Sequence, residues 1–214
     1  MTERSTTRWL LTGGVIGPVL FVVVFLLEGA IRADAGYDPM RMFISLLSLG
    51  DLGWQQNANF LVSGALVLGG AFGLGRVLTD GPGSRWGPRL IGLAGVGLML
   101  AGVFVTDPSY GYPPGAPLGP PTSPTWHGVL HVVASVFVFF GLPIAMVVMA
   151  RRFRGEGSRW ALYCWVSAVG VLVFLFAAFA FTDVAGLLQR VAVLLALGWV
   201  AQVMWRFRRE VAAA

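Results

Sequence analysis

Six apolar runs, each close to the length of a membrane span, limit what this chain can fold into. They are Trp9–Leu27, Phe60–Leu78, Leu90–Thr106, His127–Ala150, Trp160–Thr182 and Leu187–Trp205. A hydrocarbon core about 30 Å thick takes about 20 apolar residues of helix to cross. Within it every backbone N–H and C=O must be bonded inside its own segment, so each run is expected to be a helix. The chain then reads as an all-α polytopic membrane protein, with six transmembrane helices in a single domain, residues 1–214. Its charged fraction is 12%, against about 25% in soluble domains, and its mean hydropathy is +0.77. The first run is longer than the apolar stretch of a secretory signal, about 7–15 residues, and is read as a retained span. Pro18 within it predicts a kink.

The arginines orient the bundle. There are 15, and no lysine. Twelve (Arg4, 8, 76, 85, 89, 151, 152, 154, 159, 206, 208 and 209) fall before the first run, in the second and fourth loops, or after the sixth run. Only Arg32, Arg41 and Arg190 fall on the other side. The positive-inside rule places both termini in the cytoplasm of a plasma-membrane protein. The net charge of +5 does not indicate nucleic acid, because the arginines sit at helix ends and form no stripe with interleaved aromatics. The lone Cys164 excludes an internal disulfide and a cysteine metal cluster.

Two long loops lie on the outer side, residues 28–59 and 107–126. In the first, Asp38-Pro39 resembles a helix N-cap followed by proline, with Gly50 as the stop. A short helix lying on the membrane surface, or dipping into it, is expected there. The second loop is too rich in proline for regular structure. It reads as an ordered cap anchored at the interface by Tyr110, Tyr112 and Trp126. Glycines crowd the second and third runs (Gly64, Gly69, Gly70, Gly73, Gly75; Gly92, Gly95, Gly97, Gly102). Small residues let backbones approach closely in lipid, so these two helices should pair.

The polar residues of the outer half share one depth. Counting from the arginine belt at 1.5 Å per residue, Glu28, Asp107 and His131 all lie roughly 27–30 Å out, and Arg190 about 24 Å. Asp183 and His127 belong to the same level. Ionisable groups at such a depth are costly unless paired or wet, and they mark functional sites. His127 and His131 are the only histidines. At i and i+4 they share one helical face. Arg190 is expected to pair with Asp183 or Asp107.

Several stretches resemble the family of membrane proteins filed as domain of unknown function 998. They are Gly17-Pro18, Gly36-Tyr37-Asp38-Pro39, Ile44-Ser45-Leu46-Leu47-Ser48-Leu49-Gly50, Asn59-Phe60, Asp107-Pro108, His127-Gly128-Val129-Leu130-His131 and Gly186-Leu187-Leu188-Gln189-Arg190. The resemblance spans nearly the whole chain and implies a six-helix membrane fold. It brings no reaction with it.

The outer cluster admits several functions. In the first, a pocket takes a small amphipathic lipid or isoprenoid. Asp107, Asp183, Glu28 and His131 supply acid–base chemistry of the isomerase or terpene-cyclase kind. Arg190, Tyr112, Trp126, Trp54 and Tyr37 contact the ligand, and aromatic faces can stabilise a cation. In the second, His127 and His131 hold Zn with Asp107 or Asp183 as third ligand and water as fourth, making a metal-dependent lipid hydrolase. In the third the cluster is structural, and the protein is a non-enzymatic or partner-binding membrane subunit. Haem is disfavoured, because neighbours on one helical face cannot ligate iron from opposite sides. A proton-coupled carrier is disfavoured because no acidic residue lies near the midplane.

Overall fold

The computed structural model describes residues 2–155 and 158–213. Its helices are α1 (Glu3–Ile31), α2 (Gly53–Val77), α3 (Trp86–Val103), α4 (Trp126–Phe139), α5 (Gly141–Phe153), α6 (Ser158–Ala180) and α7 (Ala185–Ala213). Among the described residues six spans are long and apolar enough to cross a membrane, α4 and α5 together making the fourth. The helices form a ring. α1 packs on α2, α2 on α3, α3 on α4 and α5, α5 on α6, α6 on α7, and α7 returns to α1.

Glycine sets the closest approaches. A Cβ built on Gly64 would lie 2.6 Å from the Gly95 carbonyl oxygen, so α2 and α3 meet backbone to backbone as their composition predicts. The same device joins α1 to α2, where a Cβ on Gly70 would lie 2.5 Å from the Cα of Gly14. α1 is one helix through Pro18, which is buried.

The fourth run is not one helix, as its unbroken hydropathy suggests. Pro143 has no N–H to give the Phe139 carbonyl, and the helix breaks at Phe140. The break separates two packing partners. α5 lies along α6, while α4 stays on α3 and touches α6 at few positions. The outer half of the ring is therefore loose between α4 and its neighbours α6 and α7.

Of the two placements expected for the first outer loop, the buried one is found, with a shorter helical segment than Asp38 to Gly50 suggests. Asp38 caps a turn, with Met40 N–H donating to Oδ1 at 2.9 Å. The helical segment is only a 3-10 turn, Ile44–Ser48. Its Ile44, Leu46, Leu47 and Ser48 are buried, so it plugs the outer end of the ring and does not lie on the membrane surface. The proline-rich loop is ordered by backbone bonds: Tyr110 N–H to Gly119 O (2.9 Å), Gly111 N–H to Pro117 O (2.8 Å), and a two-way pair between Ser109 and Tyr112. Tyr112 is buried edge-on against Tyr37, ring centres 5.3 Å apart. The cap thus sits directly on the plug.

Candidate functional site

The plug brings irregular backbone to the outer boundary of the hydrocarbon, where its carbonyls need donors. Two buried arginines supply them. Arg190, only 6% exposed, donates through Nη1 to the carbonyls of Pro39 (2.7 Å), Met42 (2.9 Å) and Gly186 (2.9 Å). Its Nη2 donates to the Tyr37 hydroxyl at 2.5 Å. Burial pushes the Tyr37 phenol up to about 12, against the opposing pull of Arg190, so it stays protonated. The rest of the Gly186–Arg190 stretch serves the same loop. A Cβ on Gly186 would lie 2.4 Å from the Met42 carbonyl oxygen, and Gln189 Oε1 accepts from Ile44 N–H at 2.8 Å.

The expected ion pair of Arg190 with Asp183 or Asp107 is not formed. Asp183 is exposed and pairs with Arg41. Asp107 is occupied at the start of α4. A guanidinium carries five donors in a fixed fork and can serve several carbonyls at once, which is what the loop backbone requires.

Arg32 acts in the same way on the other side of the plug. Its Nη1 donates to Leu47 O (2.5 Å) and Leu49 O (3.2 Å), and its Nη2 to Leu52 O (2.6 Å) and Glu28 Oε2 (3.0 Å). Glu28 is thereby engaged in a buried ion pair through Oε2, while its Oε1 has no hydrogen-bond partner among the described residues. Sequence reasoning passed over Arg32, and also the polar thread on the inner face of α2. There Ser63 donates to Asn59, and Asn59 donates to Gln56 and to the Phe21 carbonyl. The i, i+3, i+7 spacing of Gln56, Asn59 and Ser63 was the signal that one face carries them.

Asp107 builds the N-terminus of α4. Its Oδ2 accepts from Thr125 N–H (3.0 Å) and its Oδ1 from Thr125 Oγ1 (2.6 Å), while Gly128 N–H donates to Thr125 Oγ1 (3.1 Å). Position 128 must lack a side chain, since a Cβ there would fall 2.0 Å from Asp107 Oδ2. His127 Nδ1 lies 2.9 Å from Val105 O, and His131 Nδ1 lies 2.8 Å from Phe104 O and 3.1 Å from Ala101 O. Carbonyls only accept, so Nδ1 carries the proton in each neutral ring and Nε2 keeps the lone pair.

The two rings share a helical face, yet their proposed third ligand is not at hand. Asp107 is held by Thr125, and Asp183 by Arg41. Among the described residues no three His, Cys, Asp or Glu side chains come together as a metal-binding group, and a catalytic Zn takes three protein ligands. The donor set does not fit Zn.

An apolar cavity opens beside His131, beneath the plug and between α4 and α7. Phe21, Phe60, Leu98, Val193 and Leu197 form most of its wall, with His131, Ser135, Ser45 and Gln189 as the polar members. Its volume is about 50 Å³, room for roughly four water-sized groups. Ser45, Ser135, Phe139 and Gln189 are half-buried, so the mouth lies on the side where α4 stands away from α7. Next to the lining residue Ile44, Phe43 packs 5.2 Å from the Tyr110 ring and 5.8 Å from Phe179. The sequence placed Glu28, Asp107, Asp183, Arg190, Tyr37, Tyr112, Trp54 and Trp126 round one pocket together with His131. Only His131 lines this one. Trp54 and Trp126 are 65% and 70% exposed, while Tyr37 and Tyr112 belong to the clamp and cap.

Fold and site together define a multi-pass α-helical membrane protein whose outer half encloses a small apolar cavity under a clamped loop. The chain belongs to the DUF998 family of proteins of unknown function, whose family model matches residues 15–206. Five of the seven stretches that carried the resemblance build the clamp, the plug and the α4 cap, while Gly17-Pro18 lies at the α1–α2 contact and Asn59-Phe60 on the inner face of α2. No curated protein and no solved structure matches the chain.

Proposed function

We propose that this protein binds the end of a slender apolar chain, an isoprenoid or acyl lipid, which enters from the outer leaflet between α4 and α7. The observation that carries this reading is the His131 ring on a mostly apolar cavity wall, its Nδ1 fixed by backbone carbonyls. With Nδ1 as donor, Nε2 is the ring's acceptor for a hydroxyl at the chain terminus. The cavity volume suits about one isoprene unit or a four-carbon chain end. Its mouth lies within the span of α4, so the ligand reaches it from lipid. Proton transfer by Glu28, Asp107 and Asp183 is no part of this reading, because none of the three lines this cavity. Binding is what the geometry supports best.

A photoreactive prenol tests the idea in membranes. The expected adducts fall on α4 and α7 near Ser135 and Val193, and unlabelled prenol suppresses them. Adducts spread over the lipid-facing side of α6, with no competition, would contradict it.

A further inference from the structure

On the arginine-rich side, a second and larger depression lies between α2 and α3. Its volume is about 690 Å³, within the range of about 300–1,000 Å³ usual for ligand sites. Its wall is apolar, formed by Leu68, Phe72, Leu93 and Val96. Gly75 and Gly92 keep part of the floor free of side chains. A Cβ on Gly92 would only touch Leu68 and Ala71, at 3.4 and 3.5 Å, so the space is real but shallow there. From Arg76 to Leu68 the groove follows α2 for eight residues, about 12 Å into the membrane.

Three arginines surround the mouth: Arg76 ends α2, and Arg85 and Arg89 flank the start of α3. All three are exposed. Among the described residues none of them has a carboxylate partner, and Arg89 only stacks over Trp86 at 5.9 Å. Three other arginines of this side are committed elsewhere. Arg152 donates to the Asp80 carbonyl, Arg206 to Glu210, and Arg208 to Thr12. Three unneutralised guanidinium groups above an apolar groove, at headgroup level, match an anionic phosphate with a chain below it.

We infer that the α2–α3 groove is a binding site for an anionic phospholipid of the cytoplasmic leaflet, its phosphate held by Arg76, Arg85 and Arg89 and one acyl chain lying along Leu68 and Phe72. The site is separate from the outer cavity, faces the other leaflet and recognises charge where the outer cavity recognises a neutral chain end.

Native mass spectrometry of the purified full chain, titrated with phosphatidylglycerol or with phosphatidylcholine of the same chains, tests it. Phosphatidylglycerol should bind about tenfold or more tightly. The triple variant R76Q/R85Q/R89Q should lose that preference, while R151Q/R154Q/R159Q, with the same loss of charge, should keep it. Gly92→Leu should weaken binding by filling the groove. Gly75→Leu serves the same purpose if the first variant does not fold. Glycerol phosphate in large excess should not displace the lipid. Equal affinity for the two lipids, or equal loss in both triple variants, would overturn the inference. So would full binding in a folded groove-filled variant, or displacement by glycerol phosphate alone.

Discussion

Arg190 on α7 donates to the hydroxyl of Tyr37 across 2.5 Å, and Tyr37 in turn donates to the carbonyls of Met42 and Phe43. Through this pair the last helix holds the first outer loop at the level of the lipid boundary. Arg190→Leu removes donors from three carbonyls and from that hydroxyl. It should destabilise the protein by about 3 kcal/mol or more. Arg190→Lys should recover only part, because an ammonium lacks the planar fork. Asp183→Asn should neither harm the wild type nor rescue Arg190→Leu. Thermal unfolding in detergent measures all three, and a strong rescue would restore the ion pair the structure lacks.

The Tyr37 phenol also gives the clamp a pH signature. Its ordinary value of 10.0 is raised to about 12 by burial. A group raised in the folded state contributes stability that is full below pH 10 and is lost as the pH climbs through 12. The folded protein should therefore weaken over that window, and Tyr37→Phe should flatten the weakening. Absorbance titration of tyrosinate in the folded state should show a late-titrating group that is absent from Tyr37→Phe. A Tyr37 that ionises near 10 would contradict the buried clamp.

Asp107 and Gly128 should behave as one unit. Asp107→Ala removes the carboxylate that holds Thr125, and should cost about 1–2 kcal/mol, the range for a lost helix cap. Gly128→Ala drives a methyl group onto Asp107 Oδ2 and should cost at least as much. Combined, the two should be clearly less than additive, since removing the carboxylate makes room for the methyl. Additive losses in a double-mutant cycle would show that the two residues do not interlock.

Topology is tested with single cysteines in a Cys164→Ser background. Ser123→Cys, exposed in the proline-rich cap, should react with an impermeant thiol reagent in intact cells. Asp80→Cys, exposed in the loop between α2 and α3, should react only after lysis. Ser109→Cys should resist both, because Ser109 is buried beneath the cap, and should react on denaturation. The reverse pattern for positions 123 and 80 would invert the orientation.

The six spans were legible because length and hydropathy alone decide them, whereas the orientation rests on the arginine split and is what the cysteine labels test. The glycine pairing of α2 with α3 was legible for a similar reason, since composition reports how closely backbones can approach. The break at Phe140 was not, because Pro143 sits inside an uninterrupted apolar run. The outer polar cluster shows a sharper limit. Counting residues gave Glu28, Asp107, His131 and Arg190 one depth along the membrane normal. It gave no angle round the ring, and the structure distributes them among the Arg32 clamp, the α4 cap, the cavity and the Arg190 clamp. Arg190 invited a search for carboxylates, yet most of its partners, like those of Arg32, are backbone carbonyls, which a sequence does not display. The motifs therefore pointed to the segments that build the clamps and the α4 cap, but not to the partners their side chains take there.

The most direct test of the outer cavity is native mass spectrometry of gently purified protein, followed by identification of any retained lipid. Wild type should carry one chain-bearing lipid per protein. Ala196→Phe, which fills the cavity, should carry none while unfolding near the wild-type temperature, and Leu98→Phe serves if that variant is unstable. His131→Phe should retain the same lipid about tenfold more weakly, the loss of roughly one hydrogen bond. A wild type that retains no lipid, or a folded Ala196→Phe that retains the same lipid equally well, would contradict the proposed function.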